Sequence, residues 1–208
     1  IQEFRQKFQQ NNKYFHLVNQ SLLATEARIH LEAGRLDQAY ALLTSIGFND
    51  VPPQELFPKF GEQLGYLLPI AVRIYLAKNM EHKAKDALLA TIPKYLHTGA
   101  NTYLTGALNS LAITYQKIGD TTKAIKALKK SVEIAKPEKN FGDFIFFGQE
   151  LTPLLDEIKQ REIETEFCEK LLSMFSDLEE LRPSTTYLLN TIDPLSNREL
   201  DVLHLIAQ

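Results

Sequence analysis

Residues 107–137, ALNSLAITYQKIGDTTKAIKALKKSVEIAKP, read as two short helices hinged at Gly119-Asp120. Small and apolar residues recur at helical spacing on both sides of the hinge. Ala112 and Ala124 stand where two backbones must approach, and Leu108, Leu111, Tyr115 and Leu128 fill the rest of the seam. Pro137 ends the second helix, because proline has no amide to offer an i−4 carbonyl. A lone hairpin cannot bury its own apolar face, so the stretch predicts further hairpins beside it.

Two more are present. Residues 21–46, SLLATEARIHLEAGRLDQAYALLTSI, turn at Gly34; Ala27 and Ala39 take the places of Ala112 and Ala124, and Leu43 that of Leu128. Residues 66–95 turn near Lys78-Asn79, with Tyr75 and Ala84 matching Tyr115 and Ala124. This helix–turn–helix unit resembles the tetratricopeptide repeat, whose period is about 34 residues. Equivalent alanines here lie 45 residues (39 to 84) and 40 residues (84 to 124) apart. The spacing therefore predicts an irregular array with loops inserted between units. The expected fold class is all-α, a tetratricopeptide-like superhelix of helical hairpins (an α-solenoid) over residues 1–181.

The segments around these hairpins are read the same way. Phe4, Phe8, Phe15 and Val18, among glutamines and asparagines, predict a separate amphipathic leading helix. Pro52, Pro53 and Pro58 forbid a long helix between the first two hairpins, and Phe57 and Phe60 tuck that connector against the array. After Pro137, Phe141, Phe144, Phe146 and Phe147 lead through Gly148 to Leu151, Leu154 and Leu155. This predicts a partial fourth hairpin, closed by a helix over residues 162–181 with an apolar stripe of Phe167, Leu171, Leu172, Phe175 and Leu178. The phenylalanines read as core and capping surface in preference to a cofactor or aromatic-ligand pocket. Residues 182–194 form a linker, and residues 195–208 begin something new.

Composition narrows the function. The 208 residues are 44% hydrophobic, 24% charged and 10% aromatic, with a formal net charge of −3. Those values suit a globular or solenoid domain and exclude a disordered or collagen-like chain. No basic excess is available to hold nucleic acid by charge alone. Cys168 is the only cysteine, so no internal disulfide forms and a reducing compartment fits; its reading is a small apolar filler. The longest uncharged apolar run, residues 64–72, is interrupted by Pro69 and far below the roughly 20 residues of a membrane span. The chain opens at Ile1 without a signal-peptide pattern, and is expected to be an internal piece of a longer cytoplasmic protein.

The last residues carry a more specific signal. Ser196 with Glu199 forms a capping box, and Leu200, Leu203 and Ala207 share one helical face. The run Leu195-Ser196-x-Arg198-Glu199-x-x-Val202-Leu203-x-Leu205-Ile206-Ala207 closely resembles the opening helix of the LuxR-type helix-turn-helix domain. That resemblance implies a scaffold helix, a turn and a recognition helix; the chain stops at Gln208, before the recognition helix. No DNA-binding residue is therefore expected in this stretch, and DNA would be held by the remainder of that domain. A tetratricopeptide-like array ahead of it resembles the sensor region of the large MalT-like branch of LuxR regulators. Residues 142–155, with their aromatics, glycine, proline and Leu-Leu pair, loosely match the same branch. The resemblance implies a small inducer, a carbohydrate or metabolite, and self-association of the full-length protein with DNA binding. It also implies an ATPase module. Neither GxxxxGK[ST] nor GxGxxG occurs here, so that module would lie before Ile1.

The first helix of each repeat is expected to line a concave groove. Equivalent inward positions are Arg28, Arg73 and Ile113, and one to two turns away stand Ser21, Glu32, Tyr66, Asn109 and Gln116. Arginines, an aromatic and amides converging on a groove would grip a sugar, a carboxylate or a peptide terminus. Two other readings stay open: the arginines pair with nearby glutamates on a solvated face, or the groove is a protein-interaction module for a peptide or partner.

Nothing favours catalysis. His16, His30, His82, His97 and His204 are scattered without HExxH or a cysteine cluster, so no metal, cofactor or enzyme activity is expected. His30 occupies an aromatic position of the repeat and is expected in the core. Lys123, Lys126, Lys129 and Lys130 read as a solvated outer stripe in preference to a contact for DNA phosphates or an anionic partner.

Overall fold

The computed structural model describes residues 13–161 and 163–180, with side chains from Gln20 onward. Every regular element among them is helical. Helices α1 (Lys13–Glu32) and α2 (Leu36–Ser45) form the first hairpin. The proline-rich connector holds only a short helix, α3 (Leu56–Phe60), between 3-10 turns at Pro53–Glu55 and Gly61–Gln63. Two hairpins follow, α4 (Leu64–Ala77) with α5 (Glu81–Thr98), and α6 (Asn101–Ile118) with α7 (Thr121–Ala135). A compressed segment comes next: α8 (Gly142–Ile145), a 3-10 turn at Gly148–Leu151, α9 (Thr152–Gln160) and α10 (Thr165–Glu180).

One hydrogen-bond pattern recurs at the three hairpin turns. Gly34, Asn79 and Gly119 all have positive φ, at 71°, 57° and 88°. The amide after each reaches back five residues, Arg35 to His30, Met80 to Tyr75 and Asp120 to Tyr115, at 2.8, 2.8 and 2.9 Å. The turn amides themselves bond the carbonyls of Leu31, Leu76 and Gln116. This is the Schellman arrangement that satisfies the last carbonyls of a helix. The turn residues keep the 45- and 40-residue spacing of the alanines (34 to 79, 79 to 119), so each hairpin repeats one local design. Ala39, Ala84 and Ala124, five positions beyond each turn, are fully buried. So are Leu43, Leu88 and Leu128, each contributing about 1.5–3 kcal/mol of burial.

Only the third turn is also capped from a side chain. Asp120 accepts from the Lys123 amide at 3.1 Å and from Lys123 Nζ at 2.6 Å, and these bonds hold its carboxyl below the usual range.

The first helices of the hairpins touch in order, α1 to α4 and α4 to α6, and α8 continues the row against α6. The second helices lie behind them: α5 packs on α6, and α9 on α7. Phe144 and Phe167 close the far end of the core, their rings edge to face at 5.6 Å, while Phe141 stacks on Phe167 at 4.9 Å. Cys168 is fully buried beside them, and burial pushes its thiol up to about 11.

Several expectations need correction. No separate leading helix ends near Val18; α1 runs unbroken from Lys13, since neither glycine nor proline stands between it and Glu32. The part of that expectation before Lys13 lies outside the described residues, as do the linker and the LuxR-like tail. α6 begins at Asn101, six residues before Ala107. His30 is not in the core; it is partly exposed, and its Nδ1 accepts from Arg35 Nε at 2.8 Å. The connector behaves as expected: Phe60 is buried, and Phe57 meets Tyr95 edge to face at 6.1 Å.

Candidate functional site

Among the described residues, three cavities that bear on the site lie between the row α1, α4 and α6 and the segment from α8 to Glu150. The most varied in its chemistry, of about 500 Å³, is walled by α1 through Ser21, Thr25 and Arg28 and by α4 through Tyr66, Pro69 and Ile70. Thr102, Tyr103 and Gly106 of α6 and Asp143, Phe146 and Phe147 complete it. Two glycines shape this space. At Gly65 an added Cβ would come within 2.4 Å of the Tyr103 ring, so a side chain there would displace the tyrosine. Gly106 has nothing within 4 Å of the place a Cβ would take. Glycine inside a helix costs roughly 0.5–1 kcal/mol relative to alanine, and here it leaves a ring's close approach at one position and open volume at the other.

The polar groups of this cavity fall into two sets. On the α4 and α6 walls, Tyr66 and Tyr103 meet edge to face at 5.6 Å. A hydrogen bond between their hydroxyls, with burial second, raises the Tyr103 pKa. On the opposing wall Asp143 is half-buried, and desolvation raises its carboxyl above the ordinary range against the bond that Oδ2 accepts from Asn140 Nδ2 at 3.0 Å. Arg28, on the α1 flank, has no carboxylate or hydrogen-bond partner among the described residues.

Arg28 also lines a second space of about 560 Å³ with Ile29, Glu32, Ala33 and Phe146. A third, of about 580 Å³, is lined by Leu31, Arg73, Ile113, Gln116, Lys117 and Glu150 among others. Arg73 stands between the last two. Its Nη1 donates to Glu32 Oε1 at 2.6 Å, Nε to Glu150 Oε1 at 3.2 Å, and Nη2 lies 3.1 Å from the same oxygen. The guanidinium sits 5.5 Å from the centre of the Phe146 ring. One half-buried side chain from α4 thus ties α1 to the segment after α8.

The residues singled out from sequence therefore separate. Ser21, Arg28 and Tyr66 come together on one cavity, Glu32 joins Arg28 on the next, and Arg73 and Gln116 share the third. Asn109 is a correction: it is fully buried, because α8 packs over that part of α6. Its Nδ2 donates to the Asp143 carbonyl at 3.3 Å, which makes it a support beneath the cavity wall, and its Oδ1 has no hydrogen-bond partner. The pairing with glutamates describes Arg73 and not Arg28.

Sequence reasoning did not single out Tyr103, Asp143 and Glu150, and it read Phe146 and Phe147 as core and capping surface in preference to a ligand pocket. The available signal was Gly65 and Gly106, two glycines at positions where helices otherwise avoid them. Among the described residues no group of histidine, cysteine, aspartate and glutamate is placed to hold a metal ion, and no helix is long and apolar enough to cross a membrane. Neither a protein-family model, nor a curated protein, nor a solved structure matches this chain.

Proposed function

We propose that this chain is the effector-sensing region of a cytoplasmic LuxR-type transcriptional regulator of the MalT-like kind, built as an irregular tetratricopeptide-like superhelix whose groove takes a small molecule. The observation that carries the groove is the cavity of about 500 Å³, where an arginine, a half-buried carboxylate and four aromatic rings converge. That volume lies within the 300–1,000 Å³ range of small-molecule sites. The recurring turn, with alanines and leucines at fixed distances behind it, supports the repeat architecture. The link to transcription rests on the resemblance of residues 195–207.

An effector acts only if it binds one conformation better than another. The Arg73 bridge supplies a route, because it joins α1 to the segment leading into α9 and contacts Phe146, a wall of the effector cavity. A ligand that moves Phe146 alters that bridge, and through it the path toward the DNA-binding domain. A thermal-shift screen of the 208-residue chain against sugars, sugar phosphates, amino acids and nucleotides tests the reading. A specific, saturable rise in melting temperature supports it and names the ligand class; silence across the panel rejects it. One observation favours a second reading, a surface for a protein partner: Leu22 and Ile29, two turns apart on α1, are 42% and 55% exposed.

A further inference from the structure

The cavity between α1, α4, α6 and α8 carries its charges in a particular way. Its lining contains one cation, Arg28, and one carboxylate, Asp143, held on different walls by α1 and α8. Arg28 has no partner among the described residues. Asp143 has only Oδ2 engaged, by Asn140 Nδ2, which leaves Oδ1 without a hydrogen bond. A half-buried carboxylate normally has both oxygens engaged; Asp143 has one, and Arg28, exposed on α1, has no carboxylate paired with it. The rest of the lining is largely apolar or aromatic, through Ala24, Pro69, Ile70, Phe146 and Phe147, and carries hydroxyls from α1, α4 and α6.

A ligand matching this lining needs an anionic end for the guanidinium, a cationic end for the carboxylate, and an apolar body. A neutral sugar would leave Arg28 without a counter-charge, and a phosphate would stand in a cavity that also holds Asp143. We infer that the site takes a small zwitterion with an apolar or aromatic body, of the free amino acid and dipeptide class, its carboxylate on Arg28 and its ammonium on Asp143. This rests on the reading of the groove as a small-molecule site and narrows it to one ligand class.

The test uses calorimetric titration of the 208-residue chain with L-phenylalanine and L-phenylalanyl-L-phenylalanine. 3-Phenylpropanoate, which lacks the amine, and phenethylamine, which lacks the carboxylate, serve as controls. At least one zwitterion should bind saturably, and both controls should bind at least tenfold more weakly. Arg28→Gln should weaken the zwitterion at least tenfold and leave phenethylamine unchanged. Asp143→Asn should weaken the zwitterion and leave 3-phenylpropanoate unchanged. Arg28 is exposed, so its variant is expected to keep the wild-type circular dichroism and melting temperature. Failure of every zwitterion to bind at millimolar concentration, or binding indifferent to both substitutions, overturns the assignment. Saturable binding of a sugar or sugar phosphate instead would overturn it while leaving the groove reading in place. Silence from every class of small molecule would remove both.

Discussion

At the scale of single residues, Asp143 joins stability to the site. Its carboxyl sits half-buried on the cavity wall, and burial raises its pKa despite the Asn140 bond. The charged form is therefore disfavoured in the folded chain relative to the unfolded one. As pH falls through the raised folded value, the native state takes up a proton before the unfolded chain does, and the penalty is relieved. Asp143→Asn removes the penalty altogether while keeping an oxygen for Asn140. The variant should be more stable than the wild type at pH 7, and the difference should shrink toward zero as pH falls below the ordinary aspartate range. Urea melts of both proteins at pH 7 and pH 3.5 measure it; a variant less stable at pH 7 would show that the carboxylate is needed by the fold. The same residue explains why part of the site was not legible. A lone aspartate after Asn140-Phe141-Gly142 carries no periodicity, and it becomes a wall residue only because α8 folds back over Asn109. Arg28, Tyr66 and Ser21, by contrast, lie at repeat positions that can be counted from the alanines.

At the scale of elements, the hairpin turns carry the design. Gly119 has φ +88° and no atom within 4 Å of a would-be Cβ, so its requirement is for backbone conformation and not for space. Gly119→Ala should cost about 1–2 kcal/mol, which lowers the melting temperature by several degrees in a chain of this size. Gly119→Asn should cost less, since asparagine tolerates the left-handed region and Asn79 already occupies it at the equivalent turn, with φ 57°. Equal melting temperatures for Gly119→Ala, Gly119→Asn and the wild type would deny the turn its role. These turns were the most legible feature of the sequence, because glycine or asparagine followed five residues later by alanine is a local signal. The boundaries were less so. α1 extends to Lys13 because no glycine or proline interrupts it, and α6 begins at Asn101, ahead of Ala107. His30 was placed in the core by analogy with Tyr75, yet its ring turns to Arg35.

At the scale of the whole molecule, two features reach across the row of helices. One is the Arg73 bridge, which joins residues 32, 73 and 150. Arg73→Met would leave Glu32 and Glu150 without their shared counter-charge, and it should lower the melting temperature. Glu150→Gln in the same chain should restore part of the loss, because one of the two unmatched carboxylates is then gone. Both glutamates are partly exposed, so the coupling should be modest and should fall as salt rises. Full additivity of the two substitutions would mean the bridge holds nothing together. The other feature is the groove, and here Gly106 offers the most direct test, since it faces open volume and sits in a helix that tolerates a larger residue. Gly106→Leu should keep the wild-type melting temperature or raise it, while filling the cavity of about 500 Å³. The decisive measurement is the thermal shift of wild type and Gly106→Leu side by side with the best ligand from the screen. A ligand at 100 times its dissociation constant should stabilise the wild type by about 2.7 kcal/mol and leave Gly106→Leu unmoved. An equal shift in both proteins, or no ligand that shifts the wild type, would contradict a small-molecule site in this groove.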